Sequence, residues 1–362
     1  MERFTLHAMT EERGRFAALR ETRVLIYWPH GLGDWVTFGG VAPLLEPSNA
    51  YAMTRFGDDY VSIMEGNPIL QPLASGVRRI GDGAAPDKPH FGLRLRDCNG
   101  RRVAIDVPHP LEDAVRRFAP AALLWTDYPE TEGRTPFPFH TKARNLVRAL
   151  VAPERLAGFD LSLPLRNSID FNAPPETQRR IDERLARFAP AGNRLAVVSR
   201  SGFTAARKDW GDGSEARAFT RALRSHASNW RFISMDDDDL GDGSAPFRAL
   251  FGDLDEPFAR IYKALARRID LFVGIPAGPL HFTLARGGVP AVGLWLAHHP
   301  DWYDESNPDA IHLVGSYVRE RGFDRRPAST TKPLSLAHRI VYLDAPAIAA
   351  DDVTGAAIAL IS

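Results

Sequence analysis

Leu271-Phe272-Val273-Gly274-Ile275-Pro276-Ala277-Gly278-Pro279-Leu280-His281 is the stretch on which the fold turns. An apolar run of strand length breaks into a glycine-bearing turn and opens into a helix start. The same grammar stands far upstream in Val24-Leu25-Ile26-Tyr27-Trp28-Pro29-His30-Gly31-Leu32-Gly33-Asp34, where the turn ends on a carboxylate. A buried parallel strand, a tight turn and a helix N-terminus in succession form the unit at which α/β proteins bind ligands. One such unit in each half, each carrying a polar residue of catalytic type, predicts an α/β protein with a cleft between two nucleotide-binding-type domains.

Outward from residue 271, the second half keeps a strict cadence. The pattern predicts helices over 177–188, 215–225, 257–268 and 280–286, and strands over 195–199, 230–235, 271–273 and 291–295. Strands alternating with helices imply a parallel sheet with right-handed crossovers. The first half is predicted to hold strands over 23–27, 50–55 and 103–107, and helices over 35–45, 60–64, 111–118 and 141–151, after a polar leader. Residues 76–99, rich in Gly, Pro and Asp, read as loop. A linker is expected between Ser162 and Glu176, where prolines interrupt the pattern, and there is no tandem repeat.

Composition narrows the class. A chain of 362 residues suits two α/β domains, and its 44% hydrophobic and 25% charged content is that of a soluble globular protein. Equal numbers of basic and acidic residues, 45 each, argue against nucleic-acid binding by bulk charge. Cys98 is the single cysteine, which excludes an intrachain disulfide and a cysteine-built zinc site and points to the cytoplasm. Residues 1–20 do not resemble a signal peptide, and no apolar stretch has the length of a membrane span.

Three clusters carry candidate chemistry. Gly31 and Gly33 let the backbone turn sharply, so that Asp34 projects as a general base toward a hydroxyl nucleophile. The plainer alternative is that Asp34 caps the helix that follows. A dinucleotide fingerprint is weakened by Val36, which stands where the third small residue belongs. Gly274 and Gly278 flank a strand–helix junction and allow a phosphate to approach backbone N–H groups. His281, about one turn into that helix, is placed to donate to a diphosphate, or else is an ordinary surface or core histidine.

The third cluster, Ser199-Arg200-Ser201-Gly202 with Arg207-Lys208-Asp209-Trp210, offers hydroxyls and cations for phosphate contact, with a solvated loop as the alternative. Asp236 to Asp239 suggests a hard-cation site, but adjacent side chains do not converge on one ion, so a solvated acidic loop is the favoured reading. For the neighbouring His298 and His299, beside Asp301, metal ligation is likewise the less favoured reading, because adjacent side chains seldom point the same way.

These segments resemble glycosyltransferase family 9, the bacterial heptosyltransferase family. The resemblance rests on His30-Gly31-Leu32-Gly33-Asp34, Glu65-Gly66-Asn67-Pro68, Lys208-Asp209-Trp210 and the run from Leu265 to Trp295, and is strongest over 24–68 and 195–302. It implies the GT-B fold, two Rossmann-like domains facing each other across a cleft. Residues 1–170 would form the acceptor domain and 171–362 the nucleotide-sugar domain, with the final helix packing back on the first. It implies inverting transfer with Asp34 as base, no cofactor and no essential metal. Donor and diphosphate contacts would fall to Ser199, Arg200, Ser201, Lys208, Gly274, Gly278, Pro279 and His281, with Gly31 and Gly33 in the acceptor-side turn.

The family's usual donor is an ADP-activated heptose and its acceptor a lipopolysaccharide core intermediate. The enzyme would then be cytoplasmic, peripheral to the inner membrane at most. Acceptor choice would lie in loops 76–99 and 128–141; Arg78, Arg79, Arg134, Lys142 and Arg144 are candidates to meet an anionic glycolipid, with solvated surface charge as the equal alternative.

The chain departs from the family in three places. Pro276-Ala277 replaces an Asp-Ser or Asp-Thr pair, Gly211 replaces a proline, and the Asp236–Asp239 run replaces a glycine-rich loop. Pro276-Ala277 keeps a non-catalytic sugar-nucleotide-binding protein as an alternative; a sugar-nucleotide epimerase, some of which share this architecture, is another, against which the missing carboxylate counts. An NAD-dependent dehydrogenase is set aside for want of the third glycine position and an acidic ribose partner.

Overall fold

Short apolar runs become parallel strands in both halves of the chain, which divides into two units, Met1–Asp170 and Phe171–Ser362. The computed structural model describes residues 5–8, 24–27, 32, 33, 35, 36, 50–53, 62, 63, 90–96, 102–108, 122–125, 169–202, 209–297, 300, 309–316 and 339–362.

In the first unit, β1 (Thr5–Ala8), β2 (Val24–Tyr27), β3 (Ala50–Met53) and β6 (Ala122–Trp125) make a parallel sheet in the order β1-β6-β2-β3. The leader thus contributes a strand, with Thr5 registered on Ala122. β4 (His90–Arg96) pairs antiparallel with β5 (Arg102–Pro108). This corrects the loop reading of residues 76–99 over 90–96; the rest of that range lies outside the described residues. Phe91, Leu93 and Leu95 alternate at the period of a strand, a pattern masked by the Gly- and Pro-rich sequence before it. Residues 32, 33, 35 and 36 are helical and Trp35 and Val36 are buried, so Gly33 lies in a helix where the sequence predicts a turn with the helix starting at 35.

The second unit has a seven-stranded parallel sheet. Its strands are β7 (Arg194–Ser199), β8 (Trp230–Ser234), β9 (Ser244–Pro246), β10 (Leu271–Gly274), β11 (Ala291–Trp295), β12 (Ala310–Val314) and β13 (Ile340–Tyr342). The order is β13-β12-β11-β10-β7-β8-β9. The central strands β7, β10 and β11 are buried almost throughout, as expected of parallel strands covered on both faces. The edge strands β9 and β13 are short and half exposed.

Helices α1 (Pro175–Phe188), α2 (Ser214–His226), α3 (Phe247–Phe251), α4 (Phe258–Leu265), α5 (Gly278–Arg286) and α6 (Ala350–Ile361) complete the unit. Proline opens α1, where its missing N–H costs nothing, and Thr177, Ile181 and Leu185 form its buried stripe. In α2 the buried residues Ala216, Phe219, Thr220 and Leu223 follow the same helical spacing. Asp212 accepts the Ser214 N–H at 2.9 Å at the head of α2, and that bond holds its carboxyl below the usual carboxylate range.

The last helix contributes to the core of its own unit. Val353 and Ala357 join the core formed by Phe219, Phe232, Val292 and Leu313. Two bonds fix its start: Trp210 Nε1 donates to the Ile348 carbonyl at 2.8 Å, and the Glu215 carboxylate accepts the Ala350 N–H at 2.6 Å. The second satisfies an orphan donor with an anion at the positive end of the helix.

Candidate functional site

Sheet order locates the site. β7 is the first strand of its unit and lies between β8 and β10, so the chain's direction of winding reverses between β7 and β10. Ligands of open α/β sheets bind beyond the carboxyl ends of the strands at such a switch point. Here those ends are Ser199 and Gly274, registered directly on one another. Two of the sequence-predicted clusters, Ser199–Gly202 and Gly274–His281, therefore meet at one place.

A single row of the sheet explains the glycines. Ser199, Gly274, Gly293 and His312 are register partners across β7, β10, β11 and β12. A Cβ on Gly274 would lie 2.9 Å from the Ser199 carbonyl oxygen, the Ser199 Cβ and the Phe272 ring. A Cβ on Gly293 would lie 2.7 Å from Trp295 Nε1 and 2.9 Å from His312 Nδ1. Those two atoms are joined by a hydrogen bond of 3.0 Å, donated by the indole.

Beyond Gly274 the backbone turns through Pro276 and Ala277 into α5. Ala277 is the N-cap, with no side-chain hydrogen bond to the helix, and Pro279 in the first turn has no N–H to offer. The His281 N–H is taken by the Ala277 carbonyl at 3.2 Å. Among the described residues no acceptor meets the N–H groups of Gly278 and Leu280. Two unspent donors at the positive end of a helix, aimed from the switch point, suit an anion.

His281 itself is 2% exposed, with its ring edge-on to Trp295 at 6.2 Å between centroids. The Trp295 ring in turn meets His312 at 5.7 Å. The helix-start histidine is thus held within a buried aromatic group.

The β7 loop is tied down by the acidic run after β8. Asp236 accepts the Arg200 N–H at 2.7 Å, the Ser201 N–H at 3.2 Å and the Ser201 hydroxyl. Asp238 accepts Arg200 Nε at 2.5 Å, and Arg200 also donates to the Gly211 carbonyl at 2.9 Å. The bond to Asp238 raises the Arg200 guanidinium above its ordinary value. Asp209 closes the loop by accepting the Gly202 N–H at 3.1 Å.

The acidic run is therefore divided in use rather than simply solvated. Asp236 and Asp238 organise the β7 loop, and Asp239 accepts the Gly241 N–H in its own turn. Among the described residues no cluster of three or more His, Cys, Asp or Glu gathers as a metal-ligand set. Replacing Asp236 by alanine strips the acceptor from two backbone donors and one hydroxyl. We expect a loss of about 2 kcal/mol in a urea unfolding experiment, with Asp236→Asn recovering part of it through its remaining oxygen.

Of the other predicted residues, Ser199 is 2% exposed at the end of β7, and Gly33 is buried in the helical segment after β2. Gly31, Asp34, Arg207, Lys208, His298 and His299 lie outside the described residues. The contacts of Asp236, Trp295 and His312 are not predicted from the sequence. Only Asp236 gave a signal, as a carboxylate just past the strand that neighbours β7.

Among the described residues no helix is long and apolar enough to cross a membrane. By sequence the chain matches no family model and no curated protein. Its fold has likenesses among solved structures. The glycosyltransferase family 9 structure from Veillonella parvula superposes with a TM-score of 0.52 at 15% identity, over 95% of this chain and 98% of that one. The ADP-heptose lipopolysaccharide heptosyltransferase II of E. coli gives 0.48 at 11% identity, over 94% and 98%. The iron-containing dodecameric glycosyltransferase TibC from enterotoxigenic E. coli gives 0.47 at 16%, over 81% and 63%. The resemblance read from residues 24–68 and 195–302 thus extends to the fold: the chain has the GT-B architecture of the family 9 glycosyltransferase structure.

Proposed function

We propose that the chain is an inverting glycosyltransferase that moves a sugar, on the sequence resemblance a heptose, from a nucleoside-diphosphate donor to a hydroxyl of a glycan or glycolipid. The observation that carries this reading is the pair of N–H groups at Gly278 and Leu280, left without an acceptor among the described residues and set where the strand order reverses. A leaving diphosphate gains negative charge as the sugar–oxygen bond breaks. Donors fixed in advance at that point stabilise it most.

In this account Asp34 removes the proton of the acceptor hydroxyl as its oxygen attacks the anomeric carbon, and the bond to the diphosphate breaks on the opposite side. Inversion follows from single displacement. Lys208 adds a cation to the leaving group. The β7 loop contributes shape more than charge, because the Arg200 guanidinium and the Ser201 hydroxyl are already engaged by Asp238 and Asp236. No metal is assigned a part. The ADP-linked donor, the lipopolysaccharide acceptor and the cytoplasmic setting rest on the sequence resemblance.

A second reading, a sugar-nucleotide-binding protein without activity, draws on Pro276-Ala277, which leaves the N-cap of α5 without a carboxylate or hydroxyl. Incubation with ADP-, UDP-, GDP- and dTDP-linked sugars and a lipopolysaccharide core acceptor separates the readings. Acceptor-dependent release of nucleoside diphosphate with an inverted product is expected. Isomerised sugar nucleotide formed without acceptor would indicate an epimerase, and binding without turnover the non-catalytic protein.

A further inference from the structure

Beneath the first turn of α5 lies a buried hydroxyl pair to which the mechanism above gives no part. Tyr262, on α4, and Thr283, on α5, are 1% and 0% exposed. Their hydroxyl oxygens are 2.9 Å apart, and both reach the carbonyl oxygen of Pro279, Thr283 at 2.9 Å and Tyr262 at 3.2 Å.

Two protons serve three contacts. The two shorter contacts make one continuous chain: the Tyr262 O–H donates to Thr283 Oγ1, and the Thr283 O–H donates to the Pro279 carbonyl. Thr283 alone would make an ordinary bond back to the residue four before it. Tyr262, reaching across from another helix, turns that bond into a chain in which each donation strengthens the next.

The carbonyl at the end of the chain belongs to the same peptide unit as the Leu280 N–H, one of the two unspent donors at the head of α5. Electron density drawn toward the Pro279 oxygen leaves that N–H more positive. Pro279 offers no N–H, so Leu280 and Gly278 bear the whole of the first turn's donation. The tyrosine is also held rigidly. Phe258 stacks on its ring at 5.7 Å and Phe282 meets it edge-on at 5.3 Å. Burial keeps the phenol protonated well above its ordinary range, so the chain persists at any working pH.

We propose that Tyr262 and Thr283 are positioning residues for the anion site, fixing the Pro279–Leu280 peptide and polarising its N–H toward a diphosphate. This rests on the reading of the α5 head as the diphosphate site.

The test is calorimetric titration of the full chain with ADP and with inorganic pyrophosphate, in the wild type and in Tyr262→Phe, Thr283→Val and Thr283→Ser. Tyr262→Phe and Thr283→Val are expected to weaken both probes by about three- to tenfold. Thr283→Ser keeps the hydroxyl and is expected to bind as the wild type does, which a role in filling space would not predict. Wild-type binding of either probe with unchanged affinity in Tyr262→Phe and Thr283→Val overturns the positioning role and leaves the diphosphate site standing. A wild-type protein that binds neither probe overturns the diphosphate site and the positioning role with it.

Discussion

Asp34→Asn is expected to lower the rate of sugar transfer by roughly two to four orders of magnitude while leaving donor affinity unchanged. The amide is nearly the same size as the carboxylate but does not take the acceptor's proton, so only the step that needs a base is lost. Donor affinity is the control, because the donor contacts assigned here lie after residue 170, on the switch point and the head of α5. Turnover of the acceptor and calorimetric binding of the nucleoside diphosphate, measured on the same preparation, check the two halves of the statement. Normal turnover in Asp34→Asn would remove the base from the mechanism.

Gly274→Val is expected to cost about 3 kcal/mol of stability. The first atom added to Gly274 already lies 2.9 Å from a backbone oxygen and from the Ser199 Cβ, and neither is the free end of a flexible chain. Both neighbours belong to β7, the strand registered on β10, so relief requires the two central strands to move apart. Gly274→Ala makes the same first contact without the branch and is expected to cost about half as much. Urea midpoints give the magnitude. A valine variant as stable as the wild type would mean that the sheet is not closed at this row.

The same packing explains what the sequence disclosed. β7, β10 and β11 are covered on both faces, so Leu195–Ser199, Leu271–Val273 and Ala291–Trp295 are apolar runs with clear ends. Their helices carry a periodic stripe because one side of each is buried. β9 and β13 lie at the sheet edges, three residues long and mixed in composition, and left no such trace. β4 left an alternation, Phe91-Leu93-Leu95, that the surrounding turn residues obscured.

The candidate site was legible to the same degree and for the same reason. Glycines at strand ends mark where backbones must come close, and Gly274 is one of them. Partnerships between side chains far apart in sequence leave no local mark. Asp236 meets Ser201 across 35 positions, Tyr262 meets Thr283 across 21 and Trp295 meets His312 across 17. These contacts are created by strand order and register, which residue patterns fix only loosely. Arg200 shows the consequence. As a residue type it suggested a phosphate ligand, whereas Asp238 and the Gly211 carbonyl already occupy its guanidinium.

The most direct test of the donor site is a thermal-shift titration of the wild-type protein with ADP, UDP, GDP and dTDP, each with and without Mg²⁺. A ligand that binds only the folded state raises the melting temperature by linkage, by roughly 5 to 10 °C at a hundred times its dissociation constant. Such a shift is expected for one nucleoside diphosphate, ADP, independent of the metal. The absence of a shift with all four would contradict the donor site, leaving the unspent N–H groups of Gly278 and Leu280 without the ligand assigned to them.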